Sequence, residues 1–224
     1  MEFVLIPAGE FEMGSPSGEE DRDSDEGPVH HVKIEKEFYM GRYEVTQKEW
    51  REVMGDNPSY FKGDDQPVET VSWDKVQEFI RKLNDKEGAD KYRLPSEAEW
   101  GYACRAGTTS RYAFGDSELK LGDYAWYGGN SNSETHPVGR KKPNPYGLYD
   151  MHGNVWEWVQ DKYHCDYDGA PTDGSAWESG DGAYRVNRGS SWFNFAGSCR
   201  SANRADRDPG DRYGSIGFRL LEET

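Results

Sequence analysis

Cysteine is scarce in this chain of 224 residues: Cys104, Cys165 and Cys199 are odd in number and far apart. That argues against a disulfide scaffold and for free thiols in a reducing compartment. Long apolar runs are missing as well, and nothing approaches the ~18 consecutive apolar residues that announce a membrane span. The opening stretch MEFVLIPAGEF has neither a basic head nor a long apolar stretch, so it does not read as a signal peptide. The chain is therefore expected to be cytoplasmic as expressed, with surface or virion display left open, and to be a monomer. Positive charge is outnumbered, 27 Lys+Arg against 42 Asp+Glu, giving a formal net charge of -15. Such a balance argues against nucleic acid and anionic membranes as partners of the chain as a whole.

What remains is unusual in another way. Only 34% of the residues are hydrophobic, yet 14% are aromatic, with 8 Trp and 14 Tyr. A core of large aromatics joined by irregular loops follows from that composition. Val4 to Gly14 reads as two short strands around a Pro/Gly turn, and Val29–Ile34 and Phe38–Glu44 as further strands. The stretch from Gly18 to Glu26 is dense in carboxylates around a single Arg22 and reads as a solvated loop, with a calcium loop as the alternative.

Three helices carry start signals. Thr46 with Glu49 makes a capping box, with Val45 positioned to staple onto Trp50. Ser72 caps a second helix in which Val76, Phe79, Ile80 and Leu83 form one apolar stripe. Ser96 with Glu99 caps a third, which Gly107 is placed to end in a left-handed conformation. Beyond Thr108 no long helix is expected. With no linker and no internal repeat, the chain reads as one α+β domain, 1–224, with helices in its first half and loops dominating its second.

The segment 188–221 combines a frame with a filler. The frame is Arg188-Gly189, Trp192, the run Cys199 to Ala202, Arg204, Pro209, Arg212 and Ile216 to Arg219. The filler is small, polar or aromatic, and from Phe193 to Leu221 there is no Lys, Glu, Gln, Met or Trp. The five histidines, His30, His31, His136, His152 and His164, show no H-x3-H-x-E spacing. His30 and His31 adjoin on a strand and point to opposite faces, so they do not chelate one ion. No Ser-His-Asp signature, phosphate loop or CxxC pair is present.

By Arg93-Leu94-Pro95-Ser96-Glu97-Ala98-Glu99-Trp100 the chain resembles the formylglycine-generating enzyme (sulfatase-modifying factor) family. Further matching blocks are Ile6-Pro7-Ala8-Gly9 to Met13-Gly14, Tyr43 to Thr46, Pro67-Val68 to Ser72-Trp73, Asn144 to Trp158 and Gly217-Phe218-Arg219. The resemblance implies a C-type lectin-like fold. It also implies several possible activities, because the family includes copper-dependent oxidases, iron-dependent sulfoxide synthases and the ligand-binding variable proteins of diversity-generating retroelements. The oxidases carry Gly-Gly-Ser-Tyr-x-Cys-x4-Cys, whose two thiolates suit Cu(I). The corresponding run here is Gly189 to Asn194, with Asn194 at the first cysteine position and Cys199 at the spacing of the second. No copper is expected, and an enzyme is the less favoured reading. The loop from Asp150 to Glu157 implies a structural Ca2+, with Asp150 and Glu157 as side-chain ligands and Gly153 and Val155 as carbonyl ligands. An aromatic hairpin without an ion is the alternative.

Retroelement diversification mutates adenines, typically in asparagine codons, and cannot produce the five missing residue types. Every filler residue belongs to the set it can produce. The resemblance to variable proteins thus implies a non-enzymatic surface for a protein or other macromolecular ligand. Its residues are Phe193, Asn194, Phe195, Ala196, Gly197, Ser198, Ala205, Asp206, Arg207, Asp208, Gly210, Asp211, Tyr213, Gly214 and Ser215. Tyr and Phe supply rigid contact area there, and Ser, Gly, Asn and Asp adaptable hydrogen bonds. An undiversified interaction module and a divergent oxidase are the alternatives.

Overall fold

The computed structural model describes residues 1–180 and 182–224. Strand β1 (Phe3–Ile6) and strand β2 (Gly9–Met13) follow one another as the alternation of apolar residues predicts. They do not pair, however. β2 forms a two-stranded sheet with β3 (His30–Ile34), whereas β1 pairs antiparallel with β4 (Phe38–Gly41). The Pro/Gly turn is thus a crossing between sheets rather than a hairpin.

All three expected helices are present. In α1 (Gln47–Met54) the Thr46 hydroxyl accepts from the Glu49 amide, and the Glu49 carboxylate accepts from the Thr46 amide. That reciprocal pair satisfies donors the first turn would otherwise leave open. In α2 (Trp73–Glu87), capped by Ser72, the stripe Val76, Phe79, Ile80 and Leu83 is buried. Strand β5 (Tyr92–Arg93) leads into α3 (Glu97–Arg105), whose nine residues are all buried. The left-handed residue ending α3 is Ala106 (φ 48°), one position before the expected Gly107, which is itself left-handed (φ 86°). A four-residue helix, α4 (Leu121–Tyr124), is the only α-helix beyond Thr108 among the described residues.

The C-terminal half is organised by a four-stranded sheet. β6 (Trp156–Lys162) pairs antiparallel with β7 (Arg185–Arg188), which pairs antiparallel with β8 (Arg204–Arg207). On the other edge of β6 lies β9 (Ile216–Gly217), in parallel. The last strand, β10 (Leu221–Glu223), inserts between β4 and β5 and so closes the N-terminal sheet with the C-terminus. One apolar cluster joins α1 and α2 to β6 and β9, with Trp50 stacked on Phe79 at 5.1 Å and Phe218 edge-on to both. A second lies around α3 and includes Trp100, Met151, Val159 and Val186. At Gly217 a Cβ would stand 2.4 Å from the Val68 carbonyl oxygen, so the close crossing of these strands requires glycine there.

The acidic stretch 18–26 is not simply a solvated loop. Glu26 is fully buried, Glu19 nearly so, and both meet the guanidinium of Arg200. Its exposed members include Glu20 and Asp21, which pair with Arg111, and Asp23. A sequence-local view of charge misses a partner 174 positions away.

Candidate functional site

The frame of the segment 188–221 is built from buried arginines. Each is tied to a distant part of the chain. The Arg188 guanidinium donates to the carbonyls of Ser201, Ala202 and Asn203, and lies over the Trp100 ring. Arg200 reaches Glu19 and Glu26 at 2.7 Å and the Gly197 carbonyl at 2.8 Å. Arg204 forms a two-pronged pair with Glu97 at 2.7 and 2.8 Å. Arg219 does the same to Glu157, at 2.6 Å on both oxygens, and donates to the carbonyls of Gly41 and Tyr149. Such planar, bidentate pairs fix geometry as well as charge. Burial alone would push the Glu26 and Glu97 carboxyls up, but the hydrogen bonds and charges of Arg200 and Arg204 outweigh it. Both are held below the usual carboxylate range.

With Arg188, Arg200, Arg204 and Arg219 turned inward, much of the filler turns outward, but not onto one face; Arg212, expected in the frame, is exposed, because it lies in the loop between β8 and β9. A cleft of about 750 Å3 is lined by Phe193, Ala205, Asp206, Arg207, Asp208, Asp211, Tyr213, Gly214 and Ser215 of the expected set. Phe195, Ala196, Gly197 and Ser198 instead line a second cavity of about 820 Å3, against Asp21, Asp23, Leu119 and Tyr127. Gly210 and Asn194 line neither. The Gly210 amide closes a turn onto Asp208. Asn194 acts as a strut, its amide oxygen accepting from Trp156 Nε1 at 3.0 Å and from Ser191 at 2.6 Å.

The cleft also uses residues that the segment does not contain. Trp156 comes from β6, Asn187 from β7, and Tyr184 from just before it; the frame residues Trp192 and Ile216 complete the lining. Trp156 lies in the Asp150–Glu157 block whose alternative reading is an aromatic hairpin, and Asn187 carries no sequence signal. The pairing β8-β7-β6 is what brings them beneath the filler. Trp192 is locked by its indole N–H on the Gly214 carbonyl at 2.9 Å.

Neither cysteine chemistry nor histidine chemistry is assembled here. Cys199 is fully buried, and burial pushes its thiol up to about 12. Cys104 is likewise buried, its thiol pushed up to about 11. His152 is buried with its Nδ1–H on the Cys199 carbonyl and its Nε2 accepting from the Ala113 amide. Burial holds it neutral, pushing its pKa down to about 4.

The calcium expectation meets a specific obstacle. Both oxygens of Glu157 are occupied by Arg219, and one also accepts from Trp100 Nε1 at 2.7 Å. Asp150 accepts from the Gly139 amide through one oxygen and keeps the other buried without a partner. One open carboxylate oxygen, even with the Gly153 and Val155 carbonyls added, falls short of the six to eight oxygen ligands such a cation takes. Arg219 occupies the place of the positive charge instead. Dialysis against EGTA is therefore expected to leave the melting temperature within about 1 °C of its value in calcium. A larger drop, reversed by calcium, would restore the ion to this loop.

Buried acids also give the fold a pH signature. Burial, with the charge of Glu97, pushes Asp161 up to about 7, and burial pushes Asp150 up to about 6. Their folded pKa values exceed the unfolded ones, so the stability they contribute is complete in acid and is lost as pH rises through 6 and 7. His152 opposes this weakly below its unfolded value, and Glu26 and Glu97 oppose it more strongly in acid. The net expectation is a gain of about 1 kcal/mol, or roughly 3 °C, between pH 8 and pH 6, reversing below about pH 4. A melting temperature that is flat or falling from pH 8 to 6 would contradict it.

Comparison with known proteins agrees with this architecture. A chaperone protein, LppX of Paenibacillus barcinonensis, is 34% identical over 240 residues, covering 85% of this chain and 78% of the relative. The structure of PvdO from Pseudomonas aeruginosa superposes with a TM-score of 0.91 at 38% identity, covering 99% of this chain and 94% of that one. Treponema denticola variable protein 1 also gives 0.91, at 32% identity, covering 99% and 95%. The chain spans only 38% of the serine/threonine-protein kinase pkn1 of Chlamydia pneumoniae, which it matches at 32% identity. The fold is thus α+β, of the formylglycine-generating enzyme type. The sulfatase-modifying factor enzyme 1-like domain matches residues 1–224, and this chain belongs to that family.

Proposed function

We propose that this domain is a non-enzymatic ligand-binding protein of the diversity-generating retroelement type. It would act as a monomer, displaying diversified residues on a C-type lectin-like scaffold to a protein or other macromolecular ligand. The observation that carries this is the division of labour within 188–221. Arg188, Arg200, Arg204 and Arg219 are buried in ion pairs, while Asp206, Arg207, Asp208, Asp211 and Tyr213 line an open cleft. Residues that hold no part of the fold can change without cost to it, since surface substitutions away from such features usually stay within about 0.5 kcal/mol. The likeness to Treponema denticola variable protein 1 supports the reading. An oxidase of the copper type is disfavoured by the strut role of Asn194 and the buried, high-pKa thiol of Cys199.

The test is genetic and structural together. Sequencing the locus in several isolates should reveal a near-identical repeat, a reverse transcriptase, and substitutions confined to adenine-bearing codons. Those substitutions should fall on the cleft residues and spare Arg188, Arg200, Arg204 and Arg219. A locus without repeat and reverse transcriptase, or substitutions spread evenly over frame and filler, would sink the diversification.

A further inference from the structure

The chemistry of the 750 Å3 cleft is lopsided. Two carboxylates, Asp208 and Asp211, line it with one cation, Arg207, while Asp206, opposite Val186 on β7, turns its side chain to the sheet's other face. Neither Asp208 nor Asp211 makes an ion pair among the described residues. Arg207 does not neutralise them: it donates to the Asp206 backbone carbonyl and leans over the Tyr213 ring, 5.9 Å from its centroid. Around the acids stand aromatic faces, of which Tyr184, Phe193 and Tyr213 are each about half exposed. Aromatic faces attract an ammonium or guanidinium through the ring quadrupole, and neighbouring carboxylates add direct charge. The chain's net charge of -15 draws cations toward it from a distance.

A second, independent observation lies in the cleft wall. Asn187 is 1% exposed and lines the cleft, yet neither its amide nitrogen nor its amide oxygen has a hydrogen-bond partner. A buried amide left open at both ends is costly and calls for a complementary donor and acceptor. A peptide group supplies both.

We propose that this cleft takes a lysine or arginine side chain from a basic segment of a partner protein. The cation sits among the aspartates and the aromatic faces, and Asn187 pairs with the segment's own peptide amide. This rests on the ligand-binding reading above and names the class of ligand for the residues now displayed.

The test uses the intact chain and fluorescein-labelled peptides of alternating glycine and lysine, or glycine and arginine. Glutamate and serine counterparts serve as controls. The basic peptides are expected to bind saturably by fluorescence anisotropy, and the controls not to bind. The double variant D208N/D211N should weaken binding about tenfold, and Tyr213→Ser several-fold. Removing exposed acids elsewhere, in E10Q/E12Q, should leave binding unchanged, which separates the cleft from general attraction to an acidic protein. Asn187→Leu should weaken binding while leaving the melting temperature level or higher, because it removes an unpaired buried amide. A merely structural Asn187 would instead lower the melting temperature. The proposal is overturned if basic peptides fail to bind, if the glutamate peptide binds equally, or if the double variant binds as before. It is equally overturned if calcium alone occupies the two aspartates and the peptides do not displace it. Should the locus show its repeat while the peptides fail, the cationic ligand falls and the display surface stands.

Discussion

Replacing Arg219 with methionine is expected to destabilise the fold by about 3–5 kcal/mol, the usual result of leaving a buried carboxylate without its cation. The site makes this case severe. Glu157 would lose both charge-assisted bonds, and Glu44 and Asp150 lie close enough for their charges to act on it. Burial, together with Asp150 and Glu157, already raises the Glu44 carboxyl well above the usual range even with Arg219 present. The measurement is urea unfolding of the wild type, R219M and R219M/E157Q. The double variant should recover part of the loss, since it removes the stranded charge. If R219M unfolds like the wild type, Arg219 is not the cation on which this region depends.

A loss of similar size, about 3–5 kcal/mol, is expected for Arg200→Met, with a more local signature. Arg200 is where the acidic stretch 18–26 is fastened, through Glu19, Glu26 and the Asp21 carbonyl. Without it the stretch should lift away while β6, β7 and β8 persist. Trypsin should then cut after Arg22, which in the folded chain donates to the Ser15 carbonyl. Limited proteolysis with mass spectrometry checks this. Arg200→Lys should fall between, keeping charge but not the fork. An R200M variant that resists trypsin at Arg22 as the wild type does would show that other contacts fasten the loop.

The helices were legible because their signals are local. Thr46/Glu49, Ser72 and Ser96/Glu99 each close a hydrogen bond within three residues, so tertiary context had nothing to override. Even there, Ala106 rather than Gly107 took the left-handed end of α3, a choice made by packing around a wholly buried helix. What stayed hidden was long-range. Nothing near Glu26 announces Arg200, and nothing near Asn187 announces that β8 and the loop before β9 will close over it. Filler and frame are legible as a pattern in the sequence, though Arg212 of the frame lies exposed. The division of the filler between two cavities is not, because that depends on which way the turn at Phe195–Cys199 leaves the sheet. Asn194 belongs by alphabet to the filler and by bonding to the frame.

The register of β8 on β7 has one more implication. Arg204 stands opposite Arg188, and Arg207 opposite Arg185, with no slack between them. Arg204 is also clamped on Glu97, and Arg200 is clamped four positions earlier. A single inserted residue inside β8 would turn every later side chain of the strand to the opposite face, moving Arg207 from the cleft to the sheet's other side. The surface therefore works like type set in a locked forme. Each cell accepts a different letter, but the line cannot grow longer. Change in this protein's recognition should come by substitution alone, and a mutational process that preserves length suits that architecture.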